Sequence, residues 1–218
     1  MIPSSLALGK RQGIIFIVSA PSGAGKTTLT SALRSVFPEI RMSVSCTTRA
    51  RRNGEVNGRD YQFLTARQFT AMRARKQFAE WARVHGYLYG TPRKPLDRCI
   101  ATGCDMLLDI DVQGARKIKN RYPQAVSIFL LPPSMRELRR RLALRATDTE
   151  AIISRRLANA RGEIRSIIYY DYFVVNQRVE QAVEDLQSIV RAERAKTSRI
   201  VKWPMAALGL RPIRRRRR

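Results

Sequence analysis

The chain is poor in the two residue types that most often form disulfides and metal sites. Its 218 residues contain three cysteines, Cys46, Cys99 and Cys104, and a single histidine, His85. Three irregularly spaced cysteines do not form a disulfide framework, and without a neighbouring histidine they lack the spacing of a zinc site. We therefore expect reduced thiols in a cytoplasmic protein, without structural zinc.

Long apolar segments are also missing. The best apolar run, Ile14–Ala20, follows Lys10 and Arg11 and has the layout of a miniature signal peptide. It is short, however, and it leads directly into a glycine-rich motif that its removal would destroy. A membrane-spanning helix needs about 20 apolar residues, and no later run approaches that length, so we expect no transmembrane segment.

Acidic residues are scarce. The chain has 17 Asp and Glu against 42 Lys and Arg, which gives a formal net charge of +25. Residues 199–218 hold eight of the basic residues and no acid, and subtracting these eight leaves +17 for residues 1–198. The excess indicates polyanionic partners such as nucleotides, although solvated arginines on helix faces would give the same count. We expect 199–218 to be a disordered tail with at most weak polyanion binding.

The rest of the chain is organised around a strand that runs into a glycine-rich loop. Ile14–Ser19 is apolar and β-branched, and Gly-Ala-Gly-Lys-Thr follows before a helical pattern begins. Such an order is typical of a phosphate-binding P-loop, in which Lys26 reaches the phosphates of ATP and the Thr27 hydroxyl binds Mg2+. The alternative is an ordinary glycine-rich turn. The loop residues expected to bind ATP are Ala20, Pro21, Ser22, Gly23, Ala24, Gly25, Lys26, Thr27 and Thr28.

Apolar runs alternate with helical patterns along the chain, which predicts a parallel sheet flanked by helices. One run, Asp105–Asp111, contains Asp109 and Asp111 at its end and should lie beside the P-loop strand. An acid at that position holds Mg2+ in P-loop proteins, so Asp109 is our candidate ligand; the alternative is a polar strand end. Residues 135–165 predict two helices joined by a turn.

Several short strands between residues 42 and 91 predict a small inserted lobe. Met42–Arg49 alternates like one strand, and the charged loop that follows adds Arg51 and Arg52 to Arg49. Arginine forks suit a second phosphate, although a solvated basic loop is an equal alternative. A carboxylate such as Glu80 could accept both N1–H and N2–H of guanine, whereas adenine offers no matching pair of donors.

Three segments, Ser19–Leu29, Ser43–Tyr61 and Leu108–Gly114, together resemble guanylate kinase. The resemblance implies a P-loop α/β fold with an inserted mixed α+β lobe for GMP and a helical lid. It also implies Mg2+-dependent transfer of the ATP γ-phosphoryl group to GMP, a reaction of purine nucleotide metabolism, with ATP and GMP as the partners. No feature of the sequence sets an oligomeric state.

The resemblance assigns roles to residues at matching positions. Those at the GMP phosphate are Arg49, Arg52, Tyr61 and Tyr89, and those at the guanine base are Ser45, Glu80, Thr91 and Asp111. Asn176 matches an ATP-binding position, and the catalytic positions are Lys26, Arg49, Arg52, Arg145 and Arg156, the last two in the lid. Four residues depart from the family pattern: Ala20, Arg51 where proline is common, Ala146 where the lid turn usually has glycine, and Gln177 where an acid is usual.

The resemblance covers residues 13–198. The expected division is a core of 13–42, 93–135 and 168–198, a GMP-binding lobe of 43–92 and a lid of 136–167. Two other functions are compatible with the same fold: a non-catalytic binding module, and a kinase with a different phosphorylated acceptor.

Overall fold

The computed structural model describes residues 11–84, 86–144 and 149–201. In that part of the chain the strands are β1 Ile15–Ser19, β2 Arg41–Met42, β3 Cys46–Thr47, β4 Gln62–Phe63, β5 Phe78–Val84, β6 Tyr87–Pro92, β7 Met106–Asp109, β8 Val126–Leu131 and β9 Tyr172–Val175. The α-helices are α1 Lys26–Val36, α2 Ala66–Ala74, α3 Arg93–Thr102, α4 Val112–Arg121, α5 Met135–Ala143, α6 Glu150–Ile164 and α7 Val179–Ala195. Two short 3-10 helices span Arg165–Tyr169 and Thr197–Arg199.

The larger sheet has five strands in the order β2-β7-β1-β8-β9, and every pairing is parallel. Its central strand β1 is buried along its whole length, as expected of a strand covered on both faces. Phe16 and Val18 pack with α1 and α7 on one face, whereas Ile15 and Ile17 pack with α3 and α4 on the other. The predicted parallel α/β sheet is confirmed.

A second sheet of four strands forms the lobe, in the order β4-β3-β6-β5. β3 pairs with β4 in parallel, and the β3–β6 and β5–β6 pairs are antiparallel. Helix α2 begins at a capping box between Thr65 and Gln68. It packs Phe69 on Phe78 with ring centroids 4.5 Å apart, so the lobe has an apolar core of its own.

The prediction of one strand over Met42–Arg49 is wrong, because the segment is divided between the two sheets. β2 ends at Met42, and the N–H of Ser43 still donates to the carbonyl of Leu107 in the large sheet. The carbonyl of Ser45 already accepts from Gln62 of the lobe. The alternating pattern is the same in both halves, so periodicity alone does not reveal the crossing.

The expected pair of helices after residue 135 is present as α5 and α6. Leu138 and Leu142 of α5 pack on Ile153 and Ala160 of α6. The predicted turn at residues 145–149 lies almost entirely outside the described residues, and Arg145 is among those not described. Within the described ranges, no helix has both the length and the hydropathy needed to cross a bilayer.

The folded part of the chain extends past the point where we expected the tail to begin. Arg199 is 7% exposed, and its guanidinium donates to Glu193 at 2.6 Å and to the carbonyl of Gln124 at 3.2 Å. Ile200 forms a β-bridge with Arg11. Arg199 therefore belongs to the folded domain, and residues 202–218, with the five terminal arginines, lie outside the described residues.

Asp105 connects three distant parts of the large domain. Its side chain is fully buried and accepts two hydrogen bonds from Arg11, at 2.7 and 2.8 Å. It also accepts one from Arg194 of α7 at 2.8 Å and one from the N–H of Ile14 at 3.0 Å. One carboxylate thus fixes the start of β1 and the end of α7.

We predict that Asp105→Asn destabilises the fold by about 3 kcal/mol, because it leaves two arginines beside a neutral amide. In a chain of this size the melting temperature should fall by roughly 6–12 °C. Asp97→Asn is the matched control, since that carboxylate is half exposed and 3.7 Å from Arg93. Equal melting shifts for the two variants in a thermal denaturation assay would contradict the role of Asp105.

Candidate nucleotide-binding site

The loop between β1 and α1 has the backbone that an anion cradle needs. Gly23 has a φ of 92° and Gly25, which caps α1, has a φ of 90°; both lie in the left-handed region that favours glycine. Ala20 does not have a positive φ, so alanine is accommodated there without backbone strain. The N-terminus of α1 carries no acid in its first turn and no side-chain cap, which leaves its N–H groups for an anion.

Asn176 lies directly against this loop. Its side-chain amide donates to the carbonyl of Ala24 at 2.8 Å. A Cβ added to Gly25 would stand 2.3 Å from the same amide nitrogen, so glycine is required by contact as well as by φ. The carbonyl of Asn176 accepts from Arg141 at 3.0 Å, which ties α5 to the loop. Asn176 thus positions the loop through its buried side chain.

Two predicted acids stand beside the loop. β7 pairs with β1 so that Val18 is opposite Asp109, and the predicted adjacency of the two strands is confirmed. The Lys26 ammonium forms an ion pair with Asp109. Asp111 is the N-cap of α4 and accepts from the N–H of Gly114 at 2.7 Å. Lysine, carboxylates and loop therefore meet at the carboxyl end of the parallel strands.

A cavity of about 190 Å3 opens between this edge of the large sheet and the lobe. Seven predicted site residues line it: Lys26, Ser45, Tyr61, Glu80, Tyr89, Asp109 and Asp111. Four lining residues were not predicted: Ala82, Val84, Ile110 and Gly114. Among these, Gly114 had a sequence signal. The side chain of a helix N-cap accepts from the N–H two or three positions later, and Gly114 stands three positions after Asp111. The cavity links Lys26, at the end of the phosphate loop, to the lobe.

Glu80 provides the carboxylate at the lobe end of the cavity. It is 8% exposed and accepts a hydrogen bond from the hydroxyl of Thr91 at 2.7 Å. Burial raises the pKa of Glu80, and the nearby Asp111 carboxylate adds to the rise, while the Thr91 bond and Lys117 oppose it. Two of the carboxylate's lone-pair directions remain for a ligand that offers paired N–H donors.

Arg49 is held in place by Glu55, an acid of the same polar cluster whose pairing with Arg49 the sequence did not predict. Its guanidinium donates to Glu55 at 2.6 Å and lies 5.5 Å from the ring centre of Tyr61. The same carboxylate accepts from the N–H of Arg52 at 2.8 Å. The Glu55 bond raises the pKa of Arg49, and in turn lowers the pKa of Glu55. Glu55 was visible in the sequence as an acid within a basic loop.

The predicted lid residues are only partly placed. Arg156 is on α6 and is partly buried, whereas Arg145 lies outside the described residues. Within the described ranges, Arg49, Arg52 and Arg156 do not line the cavity. Near the end of α6, burial raises the pKa of Glu163. The Lys26 ammonium opposes this rise and the Asp111 carboxylate adds to it. Sequence reasoning gave no role to Glu163.

Comparison with known proteins gives one family. A family model described as guanylate kinase matches residues 12–193. The chain belongs to the guanylate kinase family. A guanylate kinase from Geobacter metallireducens is 53% identical over 192 residues, which are 88% of this chain and 95% of that protein. A guanylate kinase from Syntrophotalea carbinolica is 53% identical over 191 residues, covering 88% and 91% of the two chains.

Solved structures give the same family. The crystal structure of guanylate kinase from Anaplasma phagocytophilum matches with a TM-score of 0.74 and 39% sequence identity, over 88% of this chain and 92% of that one. The resemblance found in the three sequence segments is thereby confirmed. The arrangement of a large sheet, a lobe and a helical pair is that of a guanylate kinase fold.

We predict that Gly25→Ala abolishes nucleotide binding at the loop. The new methyl group would collide with Asn176, and alanine is disfavoured at a φ of 90°. The stabilisation of the wild-type protein by ATP in a thermal-shift assay should be lost. Gly54→Ala is the control, because its φ is 84° but its Cβ would meet nothing within 4 Å. An ATP-induced shift retained by Gly25→Ala would disprove the tight contact.

Proposed function

We propose that this chain catalyses ATP + GMP → ADP + GDP with Mg2+. One observation carries the proposal: the phosphate-loop lysine and the buried lobe carboxylate Glu80 line the same cavity. A phosphate donor held at Lys26 and a guanine held at Glu80 would therefore face each other. Phosphoryl transfer needs mainly positioning and charge neutralisation, and this cavity offers both.

The lobe side of the cavity would hold GMP. Ionised Glu80 would accept N1–H and N2–H of guanine, with Ser45, Thr91 and Asp111 completing the base site. The arginines Arg49 and Arg52, with the hydroxyls of Tyr61 and Tyr89, would bind the GMP phosphate. Because Glu55 already orients Arg49, little side-chain entropy is lost when the phosphate binds.

The loop side would hold ATP. The residues assigned to it are Ala20 to Thr28 and Asn176, of which Asn176 acts by holding the loop. Lys26 would neutralise the β- and γ-phosphates. One carboxylate and one hydroxyl suit Mg2+, which keeps several waters and takes its remaining oxygens from phosphate; Asp109 and Thr27 would supply them. When bound, the ion neutralises charge on the transferring phosphoryl group.

The lid would complete the site. We assign Arg145 and Arg156 to the charge on the transferring group, and Lys26, Arg49 and Arg52 to its two ends. The division into core, lobe and lid at 43–92 and 136–167 implies that the three close together and exclude water. We also propose a cytoplasmic location, since the three cysteines are free thiols.

The reaction is tested by a coupled assay of ADP formation with ATP, Mg2+ and each of GMP, AMP, CMP and UMP. We expect turnover with GMP alone and a loss of at least about 100-fold in kcat for Lys26→Ala, which removes a phosphate contact made during transfer. Lys94→Ala, an exposed lysine of α3, should keep full activity. ATP binding without turnover on any of the four would indicate a different acceptor and overturn the proposal.

The role of Glu80 predicts a pH dependence. Only the ionised carboxylate accepts both guanine N–H groups, and its pKa is raised by burial. The KM for GMP should therefore increase as the pH falls through this raised pKa, at a higher pH than an ordinary glutamate would give. Glu80→Gln should raise KM roughly 10- to 100-fold and remove this dependence. An identical pH profile of KM in both proteins would contradict the assignment.

A further inference from the structure

A second cavity, of about 500 Å3, lies on the other side of the lobe–core junction. It shares Glu80 with the nucleotide cavity and is otherwise lined by different residues. We name it the basic groove, defined by five cations and one indole: Arg73, Lys76, Arg93, Lys117, Arg121 and Trp81. These cations come from α2 and the turn that follows it, from α3 and from α4, so their convergence is a property of the fold.

The groove concentrates positive charge with little compensation. Among its described lining residues the single acid is Glu80, whose carboxylate is bound to Thr91 instead. Arg93 has an acid within reach, Asp97, but the pair is 3.7 Å apart and both side chains are about half exposed. Arg73 and Lys117 contact the Trp81 ring, and Lys117 also donates to its carbonyl. Five cations around one cavity nevertheless repel one another. The arrangement suits an anionic ligand.

Lys76 adds an independent observation. It follows the C-terminus of α2 with a φ of 53°, the one positive value at a non-glycine residue in the described chain. Its N–H donates to Arg73 and that of Gln77 donates to Met72, the pattern of a Schellman motif, in which this position is usually glycine. A lysine there is strained. Glycine would relieve the strain, whereas lysine adds a fifth cation to the groove.

Trp81 gives the groove an aromatic surface. The indole is 36% exposed. The guanidinium of Arg73 lies 5.0 Å from its ring centre and the ammonium of Lys117 lies 5.7 Å from it. An exposed aromatic ring surrounded by cations is the combination with which proteins hold a nucleobase and its phosphates.

The groove continues beyond a single anion site. A neighbouring cavity, also of about 500 Å3, shares Arg93 with it and adds the basic residues Arg75 and Lys94 together with one acid, Asp97. The combined path runs along the end of α2 and the start of α3. A path of two adjoining cavities fits a chain of phosphates better than one phosphate ion.

We propose that the basic groove binds single-stranded nucleic acid. The cations contact successive phosphates, and one base stacks at Trp81 and Arg73. None of the six residues that define the groove lines the nucleotide cavity, so the strand and GMP occupy different places. Binding by the arginine-rich C-terminus would be a separate effect, because it involves none of these residues.

The proposal is tested with the full chain and a 5′-fluorescein oligo(U) of 12 nucleotides, by anisotropy in saturating GMP. Lys76→Gly should lower the affinity at least threefold while raising the melting temperature, since glycine relieves the strained φ. Adding Arg93→Ala should lower it at least tenfold and reduce the slope of log Kd against log salt by about 0.7 for each lost phosphate contact. Arg191→Gln, on α7 at the opposite face of the sheet, is the control for a lost charge.

A second measurement follows Trp81 itself in a Trp203→Phe background. Oligo(U) should quench its emission, and inorganic polyphosphate of equal charge should bind more weakly and quench less. If Lys76→Gly and the double variant Lys76→Gly/Arg93→Ala bind oligo(U) with the same affinity as Arg191→Gln, the binding belongs to other basic residues and the proposal is overturned. Polyphosphate that binds as well as oligo(U), without quenching, would also overturn it, because no base would then stack at Trp81.

Discussion

The parallel pairing of β1 with β7 is the constraint on which the site depends. It sets Val18 opposite Asp109, and so places the acid beside the lysine that follows the phosphate loop. Since strands in a parallel sheet point the same way, their carboxyl ends meet at one edge. The loop, Lys26 and the N-cap Asp111 of α4 all belong to that edge. The lobe completes the cavity because it is attached beside the same edge.

The scarcity of acids shapes the rest of the molecule. With 17 acids for 42 basic residues, several carboxylates serve more than one cation. Asp105 binds Arg11 and Arg194, and Glu137 binds two arginines of α5 that lower its pKa to about 2. Acids are thus placed where arginines must be fixed, as Glu55 is beside Arg49. Among the described residues of the basic groove, Glu80 is the one acid and the ion pair of Arg93 with Asp97 is long, at 3.7 Å, which distinguishes the groove from the structural clusters.

The sequence was sufficient to predict those parts of the fold and the site whose signal lies within one continuous segment. A strand, a loop and a helix are contiguous from Ile14 to Val36, and the glycines at positive φ lie where the motif puts them. The contact of Asn176 with Ala24 joins residues 152 positions apart, and no local pattern encodes it. The division of Met42–Arg49 between two sheets is likewise set by partners, Leu107 and Gln62, that periodicity does not identify.

Helix α4 explains how the lobe is attached without blocking the cavity. Asp111 caps the helix and faces the cavity, and Gly114 lies so close that an added Cβ would stand 3.4 Å from both Asp111 and Glu80. One turn later, the ammonium of Lys117 donates to the carbonyl of Trp81 on β5. Residues three apart on a helix share a face, so one face supports neighbouring residues of β5. Because successive strand residues point to opposite sides, Glu80 and Ala82 line the nucleotide cavity, with Glu80 at its border with the basic groove, and Trp81 lines only the groove.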